Sequence, residues 1–174
     1  MTPDPIFENL VELYYQDLYR FAYGLVRNEA DAADLTQQTF FIWANKGHQL
    51  RDRAQVKSWL FTTLHREFLQ KHRRESRFTH QEISVVEDEL PQVAPDTIQK
   101  MDARLLLEIL GRLDPIHRAP LVLYYLEDMP YKEIAVVLGV PLGTVQSRIS
   151  RGKALLYRTL TGPDERDSRE VSDE

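Results

Sequence analysis

Apolar residues in this chain return at steps of three and four, and no stretch of convincing length alternates as a half-buried strand would. Phe7, Leu10, Tyr14, Leu18, Phe21 and Leu25 form one stripe. Ala32, Leu35, Thr39, Ile42 and Trp43 form a second, and Val56, Trp59, Leu60, Leu64 and Phe68 a third. A chain patterned this way can bury its side chains only by laying helix on helix, which predicts an all-α fold. Asn28, with Asp31 three residues on, reads as the cap that starts the second helix. Residues 47–53 are polar and read as a loop.

The pattern then breaks. Residues 76–96 hold no sustained period, contain Pro91 and Pro95, and include Glu87-Asp88-Glu89, the composition of a flexible acidic linker. Fully extended it would reach at most about 70 Å. A second helical unit follows on Ile98, Met101, Leu105, Ile109 and Leu113, and Asp114-Pro115 is a cap and first-turn pair for the next helix. Pro120 falls inside that helix's pattern and predicts a kink or a later start. The expected organisation is two small helical domains, residues 1–75 and 98–160, joined by a linker over 76–97 and followed by a disordered acidic tail over 161–174.

The net charge of -5 hides a division that follows these boundaries. Residues 81–100 and 161–174 each carry -4, which leaves the helical parts net basic. From Lys46 to Arg77 there are nine Lys and Arg against three acids, and residues 143–158 hold Arg148, Arg151, Lys153 and Arg158 with no acid. Screening over about 8 Å at physiological salt lets such patches act apart from a distant acidic tail.

Residues 131–156 are the most informative stretch. Ile134, Ala135 and Leu138 form the inner face of a short helix, and Gly139 supplies a left-handed residue to end it. Val140 and Pro141 lead to a second helix docked through Val145 and Ile149, which leaves Thr144, Gln146, Ser147, Arg148 and Arg151 outward. This is a helix-turn-helix whose second helix presents residue types that read base edges and phosphates in a major groove. Residues 58–74 mix aromatics with Arg66, Lys71, Arg73 and Arg74, a pattern that suits an unpaired nucleic-acid strand. In that helix Trp59 and Phe68 read as core.

Several classes are excluded. The chain has no cysteine, so it has neither disulfides nor thiolate chemistry. His48, His65, His72, His80 and His117 lack metal-ligand spacing, and neither an HExxH motif nor a phosphate-cradling glycine loop occurs. No catalytic residue, metal or cofactor is expected. No run approaches the roughly 20 apolar residues of a membrane span, and Met1-Thr2-Pro3-Asp4-Pro5 has no signal-peptide character, so the expected setting is the cytoplasm, without membrane insertion.

Taken together, Asp31-Ala-Ala-Asp-Leu-Thr-Gln-Gln-Thr-Phe40, Ser58-Trp-Leu-Phe61, and Gly143-Thr-Val-Gln-Ser-Arg148 with Ser150-Arg151 resemble bacterial sigma factors of the extracytoplasmic-function type, with sigma domains two and four only. The resemblance covers residues 7–160. It implies an initiation factor that directs core RNA polymerase to specific promoters. Asp34, Leu35, Gln37, Gln38 and Phe40 would grip the polymerase clamp. Lys46, Arg51, Arg53, Arg66, Lys71, Arg73 and Arg74 would receive the melted -10 element, and Thr144, Gln146, Ser147, Arg148 and Arg151 would read the -35 duplex. Gln38 stands where the family usually has Glu, and Glu67 where it commonly has Asn. The resemblance also implies an anti-sigma protein as a partner. The alternative is a helix-turn-helix regulator that binds DNA without binding polymerase.

Overall fold

A two-residue turn sets the first half of the molecule. Helix α1 (Pro5–Val26) ends where Arg27 takes a left-handed conformation, φ 56°, and its N–H donates to the Tyr23 carbonyl at 2.8 Å. Asn28 is extended and its side-chain oxygen accepts from the Asp31 N–H at 3.1 Å, the cap that the sequence predicts for α2 (Glu29–Lys46). The chain thereby reverses at once, and α1 packs along α2. Tight turns at Gly47–Gln49 and Arg53–Gln55 lead to α3 (Val56–Ser76), which closes a three-helix unit around Leu18, Phe21, Leu25, Leu60, Phe61 and Leu64. Buried Thr36 and Thr39 return their hydroxyls to the carbonyls of Ala32 and Leu35, so neither carries an unpaired donor into the core.

The computed structural model describes residues 5–76 and 101–161. The linker expected over 76–97 and the tail over 161–174 lie almost wholly outside the described residues. The chain is described again from Met101, with α4 (Ala103–Leu110), α5 (Pro115–Tyr125), α6 (Tyr131–Leu138) and α7 (Leu142–Thr161). All regular structure among the described residues is helical.

The second half departs from its sequence reading in two places. In and around α4 the expected Ile109 and Leu113 are buried and Met101 packs against the core, but Leu105 is 46% exposed and Leu106 and Leu110 are buried instead. Asp102 caps this helix, its side chain accepting from the Arg104 N–H, and the run of three leucines lets packing choose among neighbouring faces. In α5 the helix starts at Pro115, capped by Asp114, and runs through Pro120 without delay. The carbonyl that loses a partner to Pro120 belongs to Ile116, a residue on the exposed side of the helix. Residues 117–123 of α5 are all buried, because this helix lies between α1 on one side and α6 and α7 on the other.

That position makes one core of two units. Leu25 and Phe61 belong to the same buried cluster as Leu110, Val122, Ile134 and Ile149. His65, on α3, is part of it, stacked near Phe21 and tilted against Phe68. Burial first, and then the positive charge of Arg148, push its imidazole down to about 4, so it is neutral at pH 7.

Replacing Asn28 with Ala should cost about 1 kcal/mol of stability, read as a lower urea midpoint at unchanged m-value. His65 gives a pH dependence with a definite sign. Its folded-state pKa is depressed below the unfolded value, so the unfolded chain binds the extra proton between the two. Stability should therefore fall as pH drops from about 6.5 towards 4, by at most about 3 kcal/mol. Thermal melts of the wild type and His65→Gln across that range should differ in slope, with the variant flatter.

Candidate functional site

Three surfaces collect the residues singled out in the sequence. The first is the outer face of α2. Asp34, Gln37 and Gln38 are exposed there, and helical spacing adds Phe41 and Asn45 to the same stripe. Phe41 is 65% exposed, unusual for an aromatic residue on a helix whose other face is fully packed. Leu35 and Phe40 point the other way. Leu35 is buried, and Phe40 stacks on Tyr15 and meets the edge of Phe7. The resemblance assigns Leu35 and Phe40 to the polymerase contact; both side chains lie in the core behind that face. In the pair Phe40-Phe41 the sequence offers two aromatics one step apart, 100° around a helix. Only the packing of α1 tells which is outward.

The second surface runs from the end of α2 along α3. Lys46, Arg51, Arg53, Arg66, Lys71, Arg73 and Arg74 are all exposed, so the structure keeps every predicted cation in reach of solvent. They are not equivalent. Lys71 donates to Asp31 at 2.8 Å across the α2–α3 groove, and that bond holds its ammonium pKa above the ordinary value. Next to the loop, Trp43 and Trp59 meet edge to face with centroids 5.1 Å apart, both partly exposed. Trp59 packs against the core as expected, but its exposed edge and that of Trp43 place aromatic surface beside the basic loop.

The third surface is the helix-turn-helix. Gly139 has φ 65° and ψ 37°, the left-handed conformation predicted for it, and the N–H groups of Gly139 and Val140 close the end of α6 onto Val136 and Ala135. Val145 and Ile149 are buried against α6, as predicted, and Val137 joins Ile134 and Leu138 on the inner face. Gln146 and Ser147 are exposed, while Thr144, Arg148 and Arg151 are half-buried. Burial lowers the Arg148 guanidinium's affinity for its proton, and the carbonyl of the same residue lies 3.3 Å from Nδ1 of buried His117. Lys153 sits over the rings of Tyr124 and Tyr125, 5.0 and 5.7 Å from their centroids, and so is turned from the outer face of α7.

Among the described residues no group of His, Asp and Glu could hold a metal ion, and no helix is long and apolar enough to cross a membrane. The surfaces offer charge, aromatic area and hydrogen-bond donors for binding.

Comparison with known proteins places both halves. The Sigma-70 region 2 model matches residues 10–78 and the Sigma-70 region 4 model matches residues 103–156. The chain is 36% identical over 156 residues to the ECF RNA polymerase sigma factor SigE of Mycolicibacterium smegmatis, covering 87% of this chain but spanning only 60% of that relative's length. It is 30% identical to the RNA polymerase sigma factor SigV of Bacillus subtilis, covering 86% of this chain and 87% of the relative. Among solved structures, the sigma factor RpoE in complex with the anti-sigma factor NepR from Bartonella quintana shares the fold. Its TM-score is 0.69 at 22% identity, over 90% of this chain and 98% of that one. CnrH, solved with the cytosolic domain of CnrY, gives a TM-score of 0.62 at 25% identity over 88% and 86% of the two chains. The ECF RNA polymerase sigma factor SigL of Mycobacterium tuberculosis is 31% identical over 146 residues, 82% of each chain, and with both regions matched in order the chain belongs to the ECF RNA polymerase sigma factors.

Proposed function

We propose that this protein is a promoter-specificity factor whose three surfaces divide the work of initiation. The observation that carries the reading is the presence on one chain, in order, of a region 2 unit and a region 4 unit. The outer face of α2, with Asp34, Gln37, Gln38 and Phe41, docks on core RNA polymerase. The basic loop and α3 hold the displaced -10 strand through Lys46, Arg51, Arg53, Arg66, Lys71, Arg73 and Arg74. Helix α7 enters the major groove at the -35 element with Thr144, Gln146, Ser147, Arg148 and Arg151.

No bond is made or broken by this chain. Opening of the -10 region comes from tighter binding of the unpaired strand than of the duplex, which shifts the equilibrium by that difference in affinity and no more. The setting is the cytoplasm, where the chromosome lies. The domain limits follow the sequence reading, with residues 1–75 and 98–160 as the polymerase and -10 unit and the -35 unit. Two solved relatives were captured with a partner, one with the anti-sigma factor NepR and the other with the cytosolic domain of CnrY. This chain is expected to have such an inhibitor as well.

The test is transcription in vitro from fragmented genomic DNA with purified core polymerase, followed by mapping of start sites. The chain should create a set of shared start sites that core alone lacks. A regulator that acts without polymerase would create none and would not be retained by core in a pull-down. Phe41→Ala should weaken binding to core about ten-fold, as an exposed aromatic anchor does, with little change in melting temperature. Phe40→Ala should instead destabilise the fold by about 3 kcal/mol or more. Gln146→Ala should change which -35 sequences are preferred, by about 1–3 kcal/mol at one base pair, and leave core binding intact.

A further inference from the structure

Helix α7 carries the outward residues, but what holds its backbone lies behind it, on α5. At Gly152 the two helices approach so closely that a Cβ would lie 2.7 Å from Cδ1 of Leu121 and 3.4 Å from Cβ of His117. His117 and Leu121 stand four apart on α5, so both face α7 from one side. His117 is buried, and its Nδ1 lies 3.3 Å from the carbonyl oxygen of Arg148.

That carbonyl sits in the middle of a helix. Its helical partner is the N–H four residues on, at Gly152, and its second lone pair remains available. A carbonyl oxygen only accepts, so the proton of this bond sits on Nδ1 of His117. The bond ties to the core the backbone of a residue whose side chain is assigned to the -35 duplex. Arg148 is itself half-buried. A guanidinium whose stem is confined by packing has fewer rotamers with which to absorb a shift of its backbone. The neighbouring Val145 and Ile149 are buried and fix the rotation of α7, but apolar contacts are non-directional and permit small slides. A hydrogen bond to the backbone resists them, because it depends on angle as well as distance. Base recognition needs its donors held to about 0.5 Å, so this restraint acts at the scale that matters.

We propose that His117 is a positioning residue for duplex recognition: its bond to the Arg148 carbonyl sets where the Arg148 guanidinium meets the -35 element, without itself touching DNA. The duplex-reading role of α7 proposed above is its premise.

Two variants separate this role from packing. His117→Leu fills similar space without a donor and leaves the Arg148 carbonyl its helical partner. His117→Asn keeps an N–H close to the place of Nδ1. With core polymerase and a promoter library randomised over the -35 element, Arg148→Ala identifies the base pairs at which that side chain is felt. At those pairs His117→Leu should lower the preference about ten-fold and His117→Asn should restore it to within about two-fold of wild type. Elsewhere in the element both variants should match the wild type. In the Arg148→Ala background His117→Leu should add nothing, since it acts through that side chain. A long-range proton–nitrogen spectrum of the full-length wild type should show the His117 proton on Nδ1. Four results overturn the proposal: wild-type preferences in His117→Leu, an even loss across the element in step with its melting temperature, unchanged preferences in Arg148→Ala, or a His117 proton on Nε2 alone. A proton on Nδ1 in a wild-type chain that shows no -35 preference upholds the bond and overturns the reading role instead.

Discussion

Arg118 is a buried guanidinium that ties the two helical units together. Its guanidinium reaches the carbonyls of Gly111 and Leu113 in its own half and that of Leu25 in the other. Burying such a group is unfavourable unless its donors are met, and here the acceptors are carbonyls left open at helix ends. Burial and the nearby charge of Arg27 both disfavour its protonated form, so the site is held by geometry against an electrostatic cost. Arg118 thus adds a polar tie to the apolar packing that holds α5 between α1 and the helix-turn-helix.

Much of the fold could be read from the sequence because the deciding signals were local. Asn28, Asp114 and Gly139 each act within a few residues of themselves, and all three behave in the structure as their residue types require. Errors arose where the choice was tertiary. The three leucines of α4 permit more than one inward face, and packing against the neighbouring helices buries Leu106 rather than Leu105. Phe40 and Phe41 are likewise equivalent to any local rule, and only the rings of Phe7 and Tyr15 assign one of them to the core. The contacts between the halves were the least visible. Arg20, Arg27 and Glu127 look like ordinary charged positions until residues about a hundred apart in sequence are brought together.

The candidate binding surfaces show the same division. Exposed cations on α3 and exposed Gln146 and Ser147 on α7 follow from helical phase alone. The half-buried state of Arg148 does not, nor does its nearness to His65 of α3, whose imidazole feels its positive charge. Rigid helices fixed by short caps thus carry the contact residues, while the relation between the two helical units is governed by polar groups at their junction.

The aromatic seat of Lys153 and the carboxylate partner of Lys71 have a consequence for how ionic strength acts on this molecule. A side chain already neutralised by Asp31, or lying over Tyr124 and Tyr125, displaces fewer condensed cations when nucleic acid arrives than its formal charge suggests. The sensitivity of the complex to added electrolyte should accordingly be shallower than a tally of its lysines and arginines would give.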